Sequence, residues 1–189
     1  MPESPPERAA DAPRVDGDGA GVGAGADAAL AAASATTRRF REAAQAGDVE
    51  GLLATVAEDV VLYSPITDRV VICGRAELRE LMQEVFATIQ NIHYFADVGD
   101  ARTRALFDRA QVGEQALEQA VRVSLNEHHK IEEITIFFRP LPGLVSLTAG
   151  LAPRLARKRG RGRAVIARLL LAPLAAGTRG GDRLARWLA

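Results

Sequence analysis

A few side chains in this sequence have the types and spacing that chemistry requires. Asp108-Arg109 sets a carboxylate beside a guanidinium, a pairing that can orient water for hydrolysis. Consecutive residues on a strand point to opposite faces, however, so the two do not act together in one cavity. His128-His129, between Glu127 and Glu132, offers nitrogen and oxygen donors. Two adjacent histidines in a turn do not converge on one ion, and no metal is expected there. Five glycines lie between Gly17 and Gly25, but they follow no strand and open no βαβ unit, so they do not form a dinucleotide loop. No cofactor is expected. Cys73 is the single cysteine, which excludes an intrachain disulfide, and with no histidine near it the expectation is a buried, unreactive thiol. Tyr94 rather than His93 is expected to face inward, Tyr63 to point away from Ser64, and Gln119 to share a face with Val121.

The elements that would position these groups follow from the pattern of apolar residues. Phe40, Ala43 and Ala44 lie on one helical face, stopped by Gly47, and Asp48 can cap a second helix over 49–56 that presents Leu52, Leu53 and Val56. The β-branched and aromatic run 59–64 reads as a strand ended by Pro65, and 70–73 as a short second one. Leu78, Leu81, Met82, Val85 and Ile89 recur at spacings of three and four, predicting a helix over 77–89. From there the period changes to two: strands are expected at 91–98, 103–111, 115–125 and 131–139, with 126–129 as a turn. Helices followed by a long antiparallel meander give an α+β layout, with the helices packed in the concave face of a curved sheet.

Three stretches carry a resemblance to a known family. They are 40–48 (Phe-Arg-Glu-Ala-Ala-Gln-Ala-Gly-Asp) with Leu52-Leu53 and 57–61, then Gly74-Arg75-Ala76-Glu77-Leu78, then 125–131 with 134–141, which ends Arg139-Pro140-Leu141. In this order they resemble the SnoaL-like branch of the nuclear transport factor 2-like superfamily. The resemblance implies a cone-shaped domain over 35–141, preceded by a disordered tail over 1–34 and followed by a basic amphipathic helical extension over 142–189. His129 stands where the family usually has a turn glycine, so a tight turn there needs positive φ from a residue that adopts it reluctantly. The superfamily includes ketosteroid isomerases, epoxide hydrolases, polyketide cyclases and dehydratases, so the fold leaves the activity open.

Tested against those chemistries, the residues implied by the resemblance are missing. The isomerases use a carboxylate base, a tyrosine and a protonated aspartic acid. The matching positions here are Ser64 before Pro65, Phe40 eight residues before Asp48, and Val121 ten before Ile131. None can move a proton or, for Phe40 and Val121, donate a hydrogen bond. The epoxide hydrolases' second aspartate lies on the final strand, where this chain has Ile134, Ile136 and Phe138 on one face and Glu133, Thr135 and Phe137 on the other. The expected cavity wall is Phe40, Leu62, Ser64, Tyr94, Gln119 and Val121, mostly apolar with a few hydrogen-bonding groups.

The leading reading is therefore a SnoaL-like protein that binds a small hydrophobic ligand in its cone. An alternative is a cyclase-, hydratase- or hydrolase-type enzyme working through Ser64, Tyr94 or Gln119. An enzyme needs a titratable group with a shifted pKa inside the pocket, and a desolvated Asp108, His93 or Glu118 would supply one. Charge distribution adds a third reading. The chain is neutral overall, but residues 1–35 carry −4, residues 36–150 carry −5 and residues 151–189 carry +9. Leu144, Leu147, Leu151 and Leu155 make 143–158 an amphipathic helix interrupted by Pro153, and shorter helices are expected at 163–172 and 181–188. The leucines can cover the cone or build a homodimer. The basic run can lie on an anionic membrane surface, which makes a membrane-surface adaptor the third reading. With Trp187 as its one aromatic, nucleic-acid binding is not expected. No signal sequence or spanning segment is evident, and a cytoplasmic protein is expected.

Overall fold

The computed structural model describes residues 19–66 and 70–158. Its elements run α1 (Gly19–Ala46), α2 (Val49–Leu53), β1 (Val56–Tyr63), β2 (Val71–Cys73), α3 (Gly74–Phe86), β3 (Gln90–Gly99), β4 (Thr103–Val112), β5 (Gln115–Leu125), β6 (Ile131–Arg139) and α4 (Leu141–Lys158). The strands form one six-stranded sheet in the order β2-β1-β6-β5-β4-β3. Every neighbouring pair is antiparallel except β1 and β6, which run parallel. This is the α+β architecture the alternating pattern implied, with helices on one face of a mostly antiparallel sheet.

Period-two burial drives the sheet onto its helices. Along β5, Leu117, Gln119, Val121, Val123 and Leu125 are buried while the residues between them are not. On β4 the buried set is Arg104, Leu106, Asp108 and Ala110. The helices cover this inner face: α1 packs on β3, α3 on β1, and α4 on β4, β5 and β6. Leu52, Val56, Val60, Leu78, Leu106, Val123, Leu125 and Ile131 are almost wholly removed from water and form the main core. A second cluster, Ile89, Ala110, Leu117 and Leu147, lies under α4. The outer face keeps Phe95, Val98 and Phe137 about half exposed.

The turns use the expected chemistry. Gly47 ends α1 at φ +68°, a conformation in which a Cβ is strained. The Asp48 carboxylate then caps α2 by accepting the Gly51 N–H at 2.9 Å. His129 does adopt positive φ, +54°. The Asn126 side chain steadies that turn by accepting the N–H groups of His128 and Lys130, both at 3.0 Å.

Several expectations need correction. The helix expected to begin near Thr36 starts at Gly19, so the second half of the assumed 1–34 tail is helical. The glycines suggested disorder, but Asp27–Ala35 is rich in alanine, the strongest helix former, and Ala33, Thr36, Thr37 and Phe40 form one continuous buried face. The second helix stops at Leu53 rather than 56, because Val56 already pairs with Ile131 in the sheet. The third spans Gly74–Phe86 rather than 77–89. The fourth begins at Leu141 and continues through Pro153. Cys73 is exposed, not buried: β2 is an edge strand, and Cys73 sits at its end as the residue preceding α3. The expected helices at 163–172 and 181–188 and most of the basic run lie outside the described residues. Among the described residues no helix is long and apolar enough to cross a membrane.

Leu106 is fully buried where β4 crosses the main core. Leu106→Ala is expected to cost about 2–5 kcal/mol in urea unfolding. Val98→Thr, on the exposed outer face, is expected to stay within about 0.5 kcal/mol of the parent protein.

Candidate functional site

The register of β3 to β6 puts four side chains in one row across the inner face. Tyr94 pairs with Asp108, Asp108 with Gln119, and Gln119 with Phe138. Asp108 is fully buried. Its Oδ1 accepts a hydrogen bond from Gln119 Nε2 at 2.7 Å, and its Oδ2 is buried with no hydrogen-bond partner among the described residues. Withdrawal from water pushes its pKa up to about 7, against a smaller lowering by the Gln119 hydrogen bond. Tyr94 is nearly as buried, and its phenol is held protonated by burial first and then by the nearby Asp108 charge, with Arg41 opposing weakly. It therefore remains a hydrogen-bond donor across the physiological range. A bulge in the β3–β4 ladder follows Tyr94, and the Gln45 side chain of α1 accepts the Tyr94 N–H at 2.8 Å.

Beside this row, under the helices, lies a cavity of about 270 Å³. Phe40, Leu62, Ser64, Tyr94, Gln119 and Val121 all contribute to its wall. Ser64, Tyr94 and Gln119 are the polar residues among those lining it; the rest of the wall is apolar. Asp108 is not part of the exposed wall but lies between two residues that are. Ser64 sits at one end, where its Oγ accepts the Ile66 N–H at 3.2 Å. The opposite side is closed by α4, which contributes Leu147, Leu151 and Leu155. That helix seats closely because Gly143 has no side chain: a Cβ there would fall 2.5 Å from the Ala116 carbonyl oxygen.

The positions tested for known chemistries do converge. Phe40, Ser64 and Val121 border the same cavity, and so do Ile134, Ile136 and Phe138 of the last strand. None of the six brings an ionisable group. His93 and Glu118 point to the other side of the sheet, where they line a separate cleft with Arg109 and Arg139. Glu118 is ion-paired there to Arg139 at 3.1 Å and to Arg109 at 3.5 Å. Asp108 is thus the one of the three titratable candidates that reaches the inner face, and it does so without Arg109.

A family model for the SnoaL-like domain matches residues 37–134, more than half of the chain. The chain belongs to the SnoaL-like domain family. Solved structures agree on the fold of this SnoaL-like protein. A steroid delta-isomerase from Pseudomonas aeruginosa superposes with a TM-score of 0.62 at 24% identity, over 68% of this chain and 94% of its own. A protein with a cystatin-like fold from Silicibacter pomeroyi DSS-3 gives 0.60 at 24% identity, over 70% and 92%. An epoxide hydrolase/cyclase-like enzyme with a role in pyran ring formation in the polyether salinomycin gives 0.50 at 16% identity, over 57% and 90%. At such identities the likeness is one of fold. No curated protein matches the chain.

The raised pKa of Asp108 has a signed effect on stability. Between its ordinary value of 3.8 and about 7, the folded SnoaL-like domain holds a proton that the unfolded chain releases. Asp108 therefore lowers stability as pH rises through this window, by on the order of 4 kcal/mol in total, and has no further effect above it. Asp108→Asn keeps the acceptor for Gln119 and removes the charge. Its stability minus that of the parent is expected to grow from pH 4 to pH 7 and then level off, as read from urea midpoints.

Proposed function

We propose that the cavity binds a small, largely apolar molecule and that Asp108 moves a proton on it, with Tyr94 and Gln119 as the polar groups meeting the ligand. This is an acid–base reading of the cyclase, hydratase or hydrolase type, without the isomerase constellation. The observation that carries it is a fully buried carboxyl with one free oxygen, next to an otherwise apolar cavity. A structural role gives no reason to keep a destabilising group there, since a buried, half-satisfied carboxyl weakens the fold. A proton donor and acceptor near neutral pH is what general catalysis requires.

This reading implies an order of events. Asp108 is covered, so a ligand must first displace the Gln119 amide, whose own side chain already lines the cavity. A ligand hydroxyl or carbonyl that takes over Gln119's place meets Asp108 Oδ1 directly and leaves Oδ2 close by. The Tyr94 phenol, kept neutral, supplies a hydrogen bond to oxygen on the same ligand. The apolar walls exclude water, which strengthens both interactions.

Native mass spectrometry of the full-length protein after gentle purification provides the test. The expected result is an additional small-molecule mass, absent from a Val121→Trp variant that fills the cavity. Turnover of the released compound, or of a matched panel of apolar alcohols, epoxides and ketones, is expected to fall at least 100-fold in Asp108→Asn while binding persists. Retained turnover in Asp108→Asn would remove Asp108 from the chemistry, and binding without turnover in the parent would leave a binding protein rather than an enzyme. An unliganded protein that also ignores apolar probes would dismiss the site altogether.

A further inference from the structure

A second cleft of about 390 Å³ opens at another part of the molecule, between α1 and the ends of β3 and β4. Three arginines border it: Arg38 and Arg41 from neighbouring turns of α1, and Arg104 from β4. The one acid lining it is Asp97. Asp97 is shared. Its Oδ1 accepts from Arg104 Nε at 2.7 Å, while its Oδ2 accepts from Thr37 Oγ1 at 2.7 Å and lies 3.3 Å from Arg41 Nη2. Asp100 is close enough to feel Arg104, but its carboxylate is engaged by the backbone N–H groups of Arg102 and Thr103, at 2.8 and 2.7 Å. The residues that line the cleft therefore carry a net +2.

Two details go beyond an ion network that merely pins α1 to the sheet. Arg38 is exposed into the cleft and has no ion-pair partner among the described residues. Arg41 Nε is buried with no hydrogen-bond acceptor among the described residues. Pinning α1 accounts for Thr37, Asp97 and Arg104; it accounts for neither of these. A buried, unmet N–H on a charged group is costly and signals a missing acceptor. Guanidinium forks match the oxygens of phosphate, and each offers several donors in a fixed plane. A phosphomonoester carries close to two negative charges near neutral pH, which balances the net charge of this cleft; a single carboxylate leaves one positive charge over.

We infer that this cleft binds the phosphate group of a phosphomonoester. Arg38 and Arg41 reach it from α1, Arg104 contributes from β4, and Asp97 holds Arg41 and Arg104 in place. The site is separate from the apolar cavity and stands or falls independently of it.

The experiment is isothermal titration calorimetry of the full-length protein at constant ionic strength. The probes are inorganic phosphate and glycerol 3-phosphate, with a parallel co-sedimentation on phosphatidylcholine vesicles containing phosphatidic acid. Arg38→Ala is the main variant, since it removes a side chain with no structural partner and so spares the fold. Arg39→Ala is the control: it lies on the same helix but outside the cleft, bonded to the Ala35 carbonyl. Saturable binding that weakens about tenfold in Arg38→Ala and not in Arg39→Ala supports the site. If that dependence shows with glycerol 3-phosphate, the ligand is a soluble phosphate ester; if only with the vesicles, it is a lipid headgroup. No saturable binding to any probe overturns the inference. So does equal weakening in both variants, which would report general attraction to positive charge.

Discussion

One uncompensated carboxyl group organises the inner surface of this domain. Asp108 is placed by the pairing of β4 with β3 and β5, so it cannot leave the core without breaking two ladders. Its neighbours are fixed for the same reason: Tyr94 on one side, Gln119 on the other. Gln119 partly offsets the cost by donating to one oxygen, and the other oxygen has no hydrogen-bond partner among the described residues. A polar group that is half satisfied at such depth is where a protein departs from the rules of stable packing, and such departures gather at working sites. The apolar wall next to the row makes the departure useful, because the same low polarity that raises the Asp108 pKa also expels water from a bound molecule.

The empty volume follows from how the two halves of the chain meet. The meander β3 to β6 forms a continuous antiparallel body, and the N-terminal strands join it by laying β1 parallel to β6. That junction places α3 over β1 while α1 rests on β3, on opposite sides of the inner face. Space remains between them, and α4 spans it from the other end of the chain order. Of the α4 leucines that the sequence left open between self-capping and a partner surface, Leu147, Leu151 and Leu155 line this chain's own cavity. The polar face of α4 is tied down by Arg154, which approaches Glu84 of α3 at 3.7 Å.

Much of this architecture was legible in the residue pattern. Alternation in β5 named its inward face, Asp48 announced a cap, and Tyr94 rather than His93 was inward. Helix boundaries were less legible. Alanine-rich and glycine-rich sequence look alike to a rule about disorder, and the helical start at Gly19 depends on a buried face centred on Ala33 that only tertiary packing reveals. Cys73 was misjudged because burial at a strand end depends on whether the strand is an edge, which local sequence does not state. Asp108, one of three titratable candidates, is singled out by the strand register. If Gly113-Glu114 is a two-residue hairpin turn, Val112 faces Gln115, and counting back from that pair sets Asp108 opposite Gln119. The arginine cleft is not legible in this way, since Arg38 and Arg104 are brought together only by folding.

The helix that roofs the cavity follows a finished sheet. Among the described residues every hydrogen-bonded ladder is complete by Arg139, and α4 adds no strand to it. Roof and scaffold are therefore built from separate parts of the chain. Exchanging Leu151 or Leu155 reshapes the space a ligand must fill without altering the strand pairing that holds Asp108, whereas Leu147 also belongs to the core cluster of Ala110 and Leu117 beside that row. One face of one helix thus sets the shape of the space, while the strand register sets the place of the buried carboxyl.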